Sequence, residues 1–481
     1  MKTAPLLGLA AATMLAGCSV GPKYQRPAPL AGTNALPSTF AEAGTNTAQW
    51  KAAEPSAHLP RGSWWTVFHD PELNRLEDLA SASNQELAGA VARLDQARAL
   101  VNVARSDLFP NINLSPSYNR ERTSQNQASR TTANNNFNAF SVPLDATWEV
   151  DLWGRVRKVV DASRARFAAS SDDLEALRLS IQAEVAINYF TYRSLEADYA
   201  LLEQASKAFS RSLDLTKNRR AGGIASDLDV SQAETQLRVT EALLPDRALQ
   251  RSKLRHAIAT LTGQPASSFE ITAGKETTPN PVLPLALPSE LLERRPDIAA
   301  AERRMAAANA EVGVAQTAYY PRILFRGLAG FQSADIGTLF DWPSRFWAVG
   351  PTLELPLFNA GRNRARLQVQ QFAYNEAVAS YRDTVLRSFQ EVEDQLAAQR
   401  YLGSQLEAEI AALTSARRTL EIAENRYKAG LVTYLEVASS QTAALDRERQ
   451  VVRLRAEKLT ASAGLAKALG GGWQAQETSR K

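Results

Sequence analysis

Few residues in this sequence have the types and spacing that catalysis or metal binding needs. The chain of 481 residues contains three histidines, His58, His69 and His256, and one cysteine. These four residues are too few to make a metal site of histidine and cysteine ligands a reasonable expectation. No G-x-x-x-x-G-K-[ST] phosphate-binding loop occurs. We interpret the three histidines as structural or incidental. We therefore expect no enzyme activity, no catalytic residue, no metal and no cofactor.

The single cysteine, Cys18, is placed for a covalent modification. It closes the motif LAGC, and upstream lie Lys2 and an uncharged, largely apolar run. The motif resembles a bacterial lipobox, in which the cysteine is lipidated and becomes the mature N-terminus. Ser19 follows instead of Asp, which in such lipoproteins implies sorting to the outer membrane. An ordinary signal peptide with an incidental cysteine is the alternative.

The two flanks of Cys18 are predicted to have different roles. Residues 1–17 have the charged start and apolar centre of a lipoprotein signal peptide, and they are too short for a transmembrane helix. Residues 18–62 are predicted to form a lipidated, extended N-terminal tether. Its first part contains three prolines that oppose helix formation, Pro22, Pro27 and Pro29.

Two short stretches share a glycine-centred pattern within long runs of helix formers. They are NRRAGGIASDLDV, over 218–230, and NRYKAGLVTYLEV, over 425–437. Gly223 and Gly430 suit the left-handed conformation that ends a helix, and Gly222 precedes the first of them. Each stretch is therefore predicted to stop one helix and start the next.

A carboxylate follows each glycine turn at matched spacing. Ser226 with Asp229, and Thr433 with Glu436, fit capping boxes that open the second helix. Helix capping is thus the structural alternative to any functional role of Asp229 and Glu436.

The two stretches belong to a longer internal repeat. Gly223 and Gly430 are 207 positions apart, and the same offset relates Gly154 to Gly361 and Gly263 to Gly470. Two copies of this length indicate duplicated halves with a pseudo-twofold relation. The predicted organisation is a first repeat over 63–263, a connecting segment over 264–294, a second repeat over 295–470 and a tail over 471–481.

Long helices occupy most of each repeat. From Gly154 to Ala221 there is no proline and no internal glycine, and no proline occurs after Pro356. A helix over the first stretch would extend roughly 100 Å at 1.5 Å per residue. Such helices are typical of coiled coils or tubes and not of a compact globular core. Pro245 is a possible kink in the helix that follows the first turn.

Each repeat also contains one predicted β-hairpin. The strands are expected over about 111–120 and 138–150, and over about 322–332 and 346–357. In the first strand Ile112, Leu114 and Tyr118 fall on one face and polar residues on the other, which is the alternation of a strand with one apolar face. Strands of about ten residues can span a bilayer when tilted.

Four strands in one chain cannot close a barrel, and an open strand edge is not tolerated in lipid. If the strands span a membrane, several chains must pool them. Two hairpins packed on a soluble core are the alternative. The net charge of +4, with 22% charged residues, is too mild to indicate a nucleic-acid partner.

Taken in order, these motifs resemble the lipoprotein branch of TolC-like outer-membrane factors, the NodT/OprM-like efflux lipoproteins. The motifs are LAGC, WWTVFHDPELNRL, FPNINLSPSY, DLWGRVRK with its counterpart LFNAGRNRAR, RRPDIAAAERRMAAANAEVGVAQTAYYP and the two glycine turns. The resemblance covers nearly the whole mature chain.

The resemblance implies an α+β membrane protein that works as a homotrimer. Three chains with four strands each would form a twelve-stranded outer-membrane β-barrel, continued by a long periplasmic α-helical barrel. The protein would be the outer-membrane exit duct of a tripartite efflux system that passively conducts drugs or other small toxic solutes. Its turns would contact a periplasmic adaptor coupled to an inner-membrane pump of the proton-driven RND type.

The resemblance also implies roles for residues near the turns. Gly222, Gly223, Gly430 and Leu431 would form the adaptor-contacting tips. Asp229 and Glu436 would contribute acidic groups to a periplasmic gate, and Leu435 a hydrophobic constriction. A second acidic position of the family pattern falls at Ser439 here, so one acidic ring is expected to be missing.

Two other functions remain open from the sequence. The same duct could serve an ABC-driven export system for proteins or peptides. Alternatively, the chain could be a poreless coiled-coil protein anchored to the outer membrane, in which case the strands would not be embedded in lipid.

Overall fold

Helices make up most of the chain that the computed structural model describes, which covers residues 20–30, 40–43, 62–122, 136–272, 281 and 294–471. The helices are α1 (Pro71–Ser83), α2 (Gln85–Ser106), α3 (Arg155–Ala221), α4 (Asp227–Leu261), α5 (Pro296–Thr317), α6 (Arg362–Lys428) and α7 (Tyr434–Ala468). The strands are β1 (Asn111–Leu114), β2 (Ser117–Arg122), β3 (Asn136–Val150), β4 (Arg322–Ser333) and β5 (Arg345–Glu354). Short 3-10 helices lie at Ala41–Ala43, Trp64–Phe68, Ile336–Thr338 and Trp342–Ser344.

Corresponding helices of the two halves have equal lengths. Helices α2 and α5 have 22 residues each, α3 and α6 have 67, and α4 and α7 have 35. Pro245 lies inside α4, which continues through it to Leu261. None of the helices in the described ranges combines the length and the apolar character that a membrane-spanning helix requires.

The chain divides into two compact units. One combines Met1–Ala28, Arg93–Ser171 and Ala300–Tyr381, and it contains the whole sheet. The other combines Pro29–Ala92, Asp172–Ala299 and Arg382–Lys481, and it contains both glycine turns. Each unit therefore takes segments from both halves of the sequence.

The sheet is antiparallel throughout, in the order β1-β3-β4-β5, with β2 also paired to β3. The sequence predicts one strand over about 111–120, whereas the structure has a break at Ser115 and Pro116. The Ser115 N–H donates to the Pro143 carbonyl at 3.1 Å, but Pro143 has no N–H to return the bond. The register is unchanged across the break, since Leu114 faces Leu144 and Ser117 faces Ser141.

The last strand ends earlier than predicted, at Glu354 instead of about position 357. Glu354 pairs with Arg322, and the residue before Arg322 is Pro321, which cannot donate to a further ladder bond.

One face of the sheet collects most of the apolar side chains of the strands, although Leu324 and Leu328 of β4 lie on the opposite face. Directly paired residues of antiparallel strands share a face, and three pairs show the apolar one: Ile112 with Ala146, Trp148 with Phe325, and Ile323 with Leu353. Many of these side chains are exposed, including Ile112, Phe325 and Leu353. We call this surface the apolar sheet face.

Equivalent side-chain hydrogen bonds are made to a carbonyl at the end of the C-terminal helix of each half. Asn84 Nδ2 donates to the Leu261 carbonyl at 2.8 Å, and Arg295 donates to the Ala468 carbonyl at 3.0 Å. The next turns also match, since Gly263 and Gly470 both have positive φ angles, of 66° and 88°. A Cβ at Gly263 would collide with Ser83, and a Cβ at Gly470 would press on Arg294. The duplication is thus present in the packing as well as in the sequence.

Parts of the predicted tether are held against the folded chain. The Val20 N–H donates to the Trp153 carbonyl at 3.0 Å, and Asn309 donates to the Pro22 carbonyl at 3.4 Å. Arg26 forms an ion pair with Glu302 at 3.4 Å. In the other unit, the Phe40 ring is buried in a cluster with Val392, Leu396, Leu465, Ala468 and Leu469.

Candidate functional site at the two glycine turns

Both glycine turns end their helices with the same hydrogen bonds. The Gly223 N–H donates to the Arg220 carbonyl at 2.9 Å, and the Ile224 N–H donates to the Arg219 carbonyl at 2.8 Å. Gly223 has a φ of 75°, which places it in the left-handed region. This combination is a Schellman motif, which satisfies carbonyls at the end of helix α3.

The second turn repeats this geometry at the end of helix α6. The Gly430 N–H donates to Tyr427 and the Leu431 N–H donates to Arg426, each at 2.9 Å. The φ of Gly430 is also 75°. Gly222 differs from these glycines, because its φ is not positive and a Cβ there would make ordinary contacts of 3.6 Å or more.

The two turns start their next helices in different ways. Ser226 and Asp229 form the predicted capping box, with the Ser226 N–H bonded to the Asp229 carboxylate at 2.9 Å and the Asp229 N–H bonded to Ser226 Oγ at 3.2 Å. The prediction of a second capping box was wrong, because the Thr433 side chain makes no capping hydrogen bond. Glu436 is exposed at that turn.

Asp229 reaches across to the other half of the repeat. Its Oδ1 accepts the Tyr434 N–H at 3.3 Å, so one carboxylate contacts both Ser226, the N-cap of α4, and the first residue of α7. Burial raises the pKa of this carboxyl, but hydrogen bonds from Ser226 and the Tyr434 N–H outweigh burial and lower the pKa below its ordinary value. Asp229 is therefore a carboxylate that holds the two turns together.

Further contacts join the helices beside the turns. The Arg219 guanidinium lies 4.7 Å from the centroid of the Tyr427 ring and donates to the Lys428 carbonyl at 3.2 Å. Thr216 Oγ1 lies 3.2 Å from the Tyr427 hydroxyl. An apolar cluster underlies these contacts, formed by Phe209, Leu213, Ala233, Leu237, Ala423, Tyr427, Tyr434 and Val437.

Four aliphatic side chains remain exposed at the turns. Ile224 and Leu431 are 68% and 69% exposed, and Leu228 and Leu435 are 65% and 58% exposed. These four residues form two pairs at the 207-residue offset. We call them the tip quartet. The sequence interpretation singled out Leu431 and Leu435 but missed Ile224 and Leu228, which the repeat offset alone could have identified.

The residues predicted for the tips and the gate all lie in this region, but their environments differ. Gly223 and Gly430 shape the turns, while Leu431 and Leu435 are exposed. Asp229 is occupied by hydrogen bonds, whereas its repeat equivalent Glu436 has an exposed side chain.

The other chemistry-bearing positions give no site in the described part of the chain. Within residues 20–30, 40–43, 62–122, 136–272, 281 and 294–471, no group of three or more His, Cys, Asp or Glu side chains could hold a metal ion. Cys18, predicted to carry the lipid, lies outside the described residues, as does His58.

Comparison with known proteins gives a consistent result. The chain matches the model of the family described as "Outer membrane efflux protein" over residues 76–264 and 287–471. It is 33% identical to the antibiotic efflux pump outer membrane protein ArpC of Pseudomonas putida, with 98% of this chain and 97% of ArpC covered. It is also 33% identical to the outer membrane protein OprJ of Pseudomonas aeruginosa, with 98% and 96% covered.

A solved structure supports the same assignment. The outer-membrane channel OprN superposes with a TM-score of 0.84 at 29% identity, covering 95% of this chain and all of that one. The expectation of an outer-membrane efflux channel protein, and not an enzyme, is thereby confirmed. With its two matched segments and its full-length relatives, the chain belongs to the outer membrane efflux protein family.

Proposed function

We propose that this protein is the exit duct of a tripartite efflux pump, conducting small toxic solutes passively from a periplasmic pump assembly to the exterior. The tip quartet carries the proposal. Exposed Ile224, Leu228, Leu431 and Leu435 offer apolar anchors at the turns of both halves, whereas a helix turn facing only water has no need of them. A periplasmic adaptor protein is the partner that this surface fits.

The pump is proposed to be of the proton-driven RND type, and the cargo to include drugs. The relative ArpC is described as part of an antibiotic efflux pump, which supports such a cargo for this chain. An ABC-driven export system is the second candidate, and the identity of the adaptor distinguishes the two.

The sheet supports a homotrimer. Among the described residues, β1 and β2 at one side and β5 at the other each pair with a single neighbouring strand. An apolar face combined with two open edges is not stable in lipid, because unpaired backbone groups there lack hydrogen-bond partners. Because β1 and β2 pair with β3 in one register, they count as a single broken strand, and each chain contributes four strands. Pairing β5 of one chain with β1 and β2 of the next would close the sheet, and three chains would give a twelve-stranded barrel.

Two features are proposed to hold the protein in the outer membrane. Cys18 would carry lipid at the mature N-terminus, and the barrel would span the outer membrane. The contact from Val20 to Trp153 supports this arrangement, because it fixes the chain two residues after Cys18 to the short connection that follows β3. That contact would hold the lipid close to the membrane surface.

Crosslinking from the tip quartet tests the proposed function. A Leu431→Cys variant carries a thiol at an exposed tip position, and lipid on Cys18 would leave no competing native thiol. Leu249→Cys is the matched control, because Leu249 is similarly exposed on helix α4 but lies away from the turns. In living cells, Leu431→Cys is expected to capture an RND-type adaptor, and Leu249→Cys is not.

Mass spectrometry of the crosslinked product identifies the partner. Capture of an ABC-type adaptor would move the protein to the export class. Equal capture by the two variants, or no adaptor at Leu431→Cys in cells that express the pump, would contradict docking at the tip quartet.

A further inference from the structure

The loop between β4 and β5 lies at the end of the sheet opposite to its helix connections. Helix α5 leads into β4 and helix α6 follows β5, and the first residue of β4, Arg322, pairs with the last residue of β5, Glu354. Residues 334–344 therefore form the far end, and we call them the outer loop. If the helices extend into the periplasm, as the proposed function requires, the outer loop faces the cell exterior.

The outer loop extends the apolar sheet face with exposed aromatic rings. Phe340 and Trp342 are 70% and 74% exposed. The Phe340 ring packs on Phe331 in an edge-on arrangement, with centroids 5.6 Å apart. Phe331 belongs to the apolar sheet face, because it follows Ala329 by two residues and Phe325 by six along β4. The aromatic surface of the loop is therefore continuous with the face that would meet lipid.

A cation lies within this aromatic surface. Arg345 pairs directly with Phe331, so its side chain leaves the sheet on the apolar face. Its guanidinium stacks on the indole of Trp342, 3.2 Å from the ring centroid. Two residues further along the same face, Trp347 is 74% exposed.

The charge of Arg345 is not neutralised by any ion pair within the described part of the chain. Two other arginines of the sheet are neutralised in this way: Arg322 pairs with Glu149 at 2.7 Å, and Arg326 pairs with Glu354 at 3.5 Å. Arg120 and Arg122 of β2 form no ion pair with a described residue, but Arg345 alone among these cations is stacked on an indole ring. Stacking on Trp342 holds the plane of the Arg345 guanidinium while its N–H edge stays free to donate. A cation that has no ion-pair partner and is held at a lipid boundary can bind an anionic ligand there.

We propose that Trp342 and Arg345 form a binding site for the anionic, phosphate-bearing headgroup of a lipid in the outer leaflet. Arg345 donates to the phosphate oxygens, a geometry that the guanidinium fork matches. Phe340 and Trp347 lie against the glycerol or acyl region, where aromatic rings are favoured. The proposal rests on the membrane-spanning sheet of the proposed function. It assigns that sheet an anionic lipid at the outer loop.

Lipid enrichment around the reconstituted full-length protein tests this site. The protein is placed in phosphatidylcholine vesicles with an admixture of phosphatidylglycerol, and its retained lipids are quantified by native mass spectrometry. Arg345→Gln removes the charge and keeps a similar length. Arg326→Gln is the matched control, because it removes a charge from the same sheet on the opposite face.

We expect Arg345→Gln to lower the enrichment of phosphatidylglycerol by about fivefold, the ratio expected for one basic side chain near an anionic surface. The wild-type protein and Arg326→Gln should retain equal enrichment. Trp342→Leu should fall in between, because it keeps the charge but removes the stacking surface.

Insertion is measured in the same vesicles by heat-modifiable electrophoretic mobility and protease protection of the strands. Unchanged enrichment in an inserted Arg345→Gln protein would overturn the headgroup site and leave the exit duct intact. A wild-type chain that fails to insert would overturn the membrane-spanning sheet, and the headgroup site with it.

Discussion

The side chain of Glu77 is fully buried on helix α1, and neither carboxylate oxygen has a hydrogen-bond partner among the residues that the structure describes. Burial raises the pKa of this carboxyl well above its ordinary value, and the neighbouring charge of Asp78 raises the pKa further. Glu77 lies on the same helix face as Leu73, Leu76 and Ala80, which are also fully buried. A side chain that can ionise thus takes the place of an apolar one.

The raised pKa of Glu77 makes the stability of the protein depend on pH. The folded chain keeps the proton at pH values where the unfolded chain has released it, so stability falls as pH rises from the ordinary glutamate pKa through the folded-state pKa. A pKa that differs by one between the folded and unfolded states corresponds to about 1.4 kcal/mol of stability. Glu77→Gln should therefore raise the thermal midpoint at pH 8, with little change near pH 4.

Thermal denaturation across this pH range measures the effect. Glu407→Gln is the control, because Glu407 is an exposed glutamate on helix α6. A Glu77→Gln protein that melts like the wild type at high pH, or that gains equally at low pH, would contradict a protonated Glu77.

At the scale of single elements, the two adjacent glycines of the first turn differ in backbone conformation. Gly223 has a φ of 75°, where a Cβ crowds the following carbonyl, whereas the φ of Gly222 is not positive. The second half has alanine, Ala429, at the position equivalent to Gly222 and glycine at the position equivalent to Gly223. Only one glycine of each turn is required by the backbone.

This difference predicts opposite results from two neighbouring substitutions. Gly223→Ala should destabilise the turn by about 1 kcal/mol, because alanine is strained at this φ. Gly222→Ala should be neutral or slightly stabilising, since alanine restricts the unfolded chain. Hydrogen exchange of the amides in residues 218–228 reports local opening. Equal exchange in the two variants would show that the left-handed position does not decide the stability of the turn.

At the scale of the whole molecule, the protein is proposed to be held in the outer membrane in two ways, by the lipid on Cys18 and by the inserted barrel. Removing the lipid tests whether the barrel alone is sufficient. Cys18→Ser should remove the lipid, yet the protein should remain in the outer membrane as a trimer, because the closed barrel would still bury its apolar face. Membrane fractionation combined with crosslinked mass gives the result. A variant recovered as a soluble periplasmic monomer would show that the strands do not hold the protein in the membrane.

Much of the architecture follows from local patterns in the sequence. Period-two alternation indicates which side of each strand is mainly apolar, and the observed register gathers those sides on one face, with Leu324 and Leu328 of β4 as exceptions. The 207-residue offset locates the glycine turns, since a positive φ at a helix end selects glycine wherever the repeat recurs. These features depend on neighbours a few residues away, which is why one sequence suffices to predict them.

The tertiary structure alone decided the contacts between distant segments. Asp229 reaches the Tyr434 N–H, and Thr433 does not cap its own helix, because the packing of the two halves sets which donor a carboxylate meets. Likewise, the burial of Glu77 and the stacking of Arg345 on Trp342 depend on how helices and loops pack. Composition and periodicity carry no information on the phase of one element against another, so these contacts could not be read from the sequence.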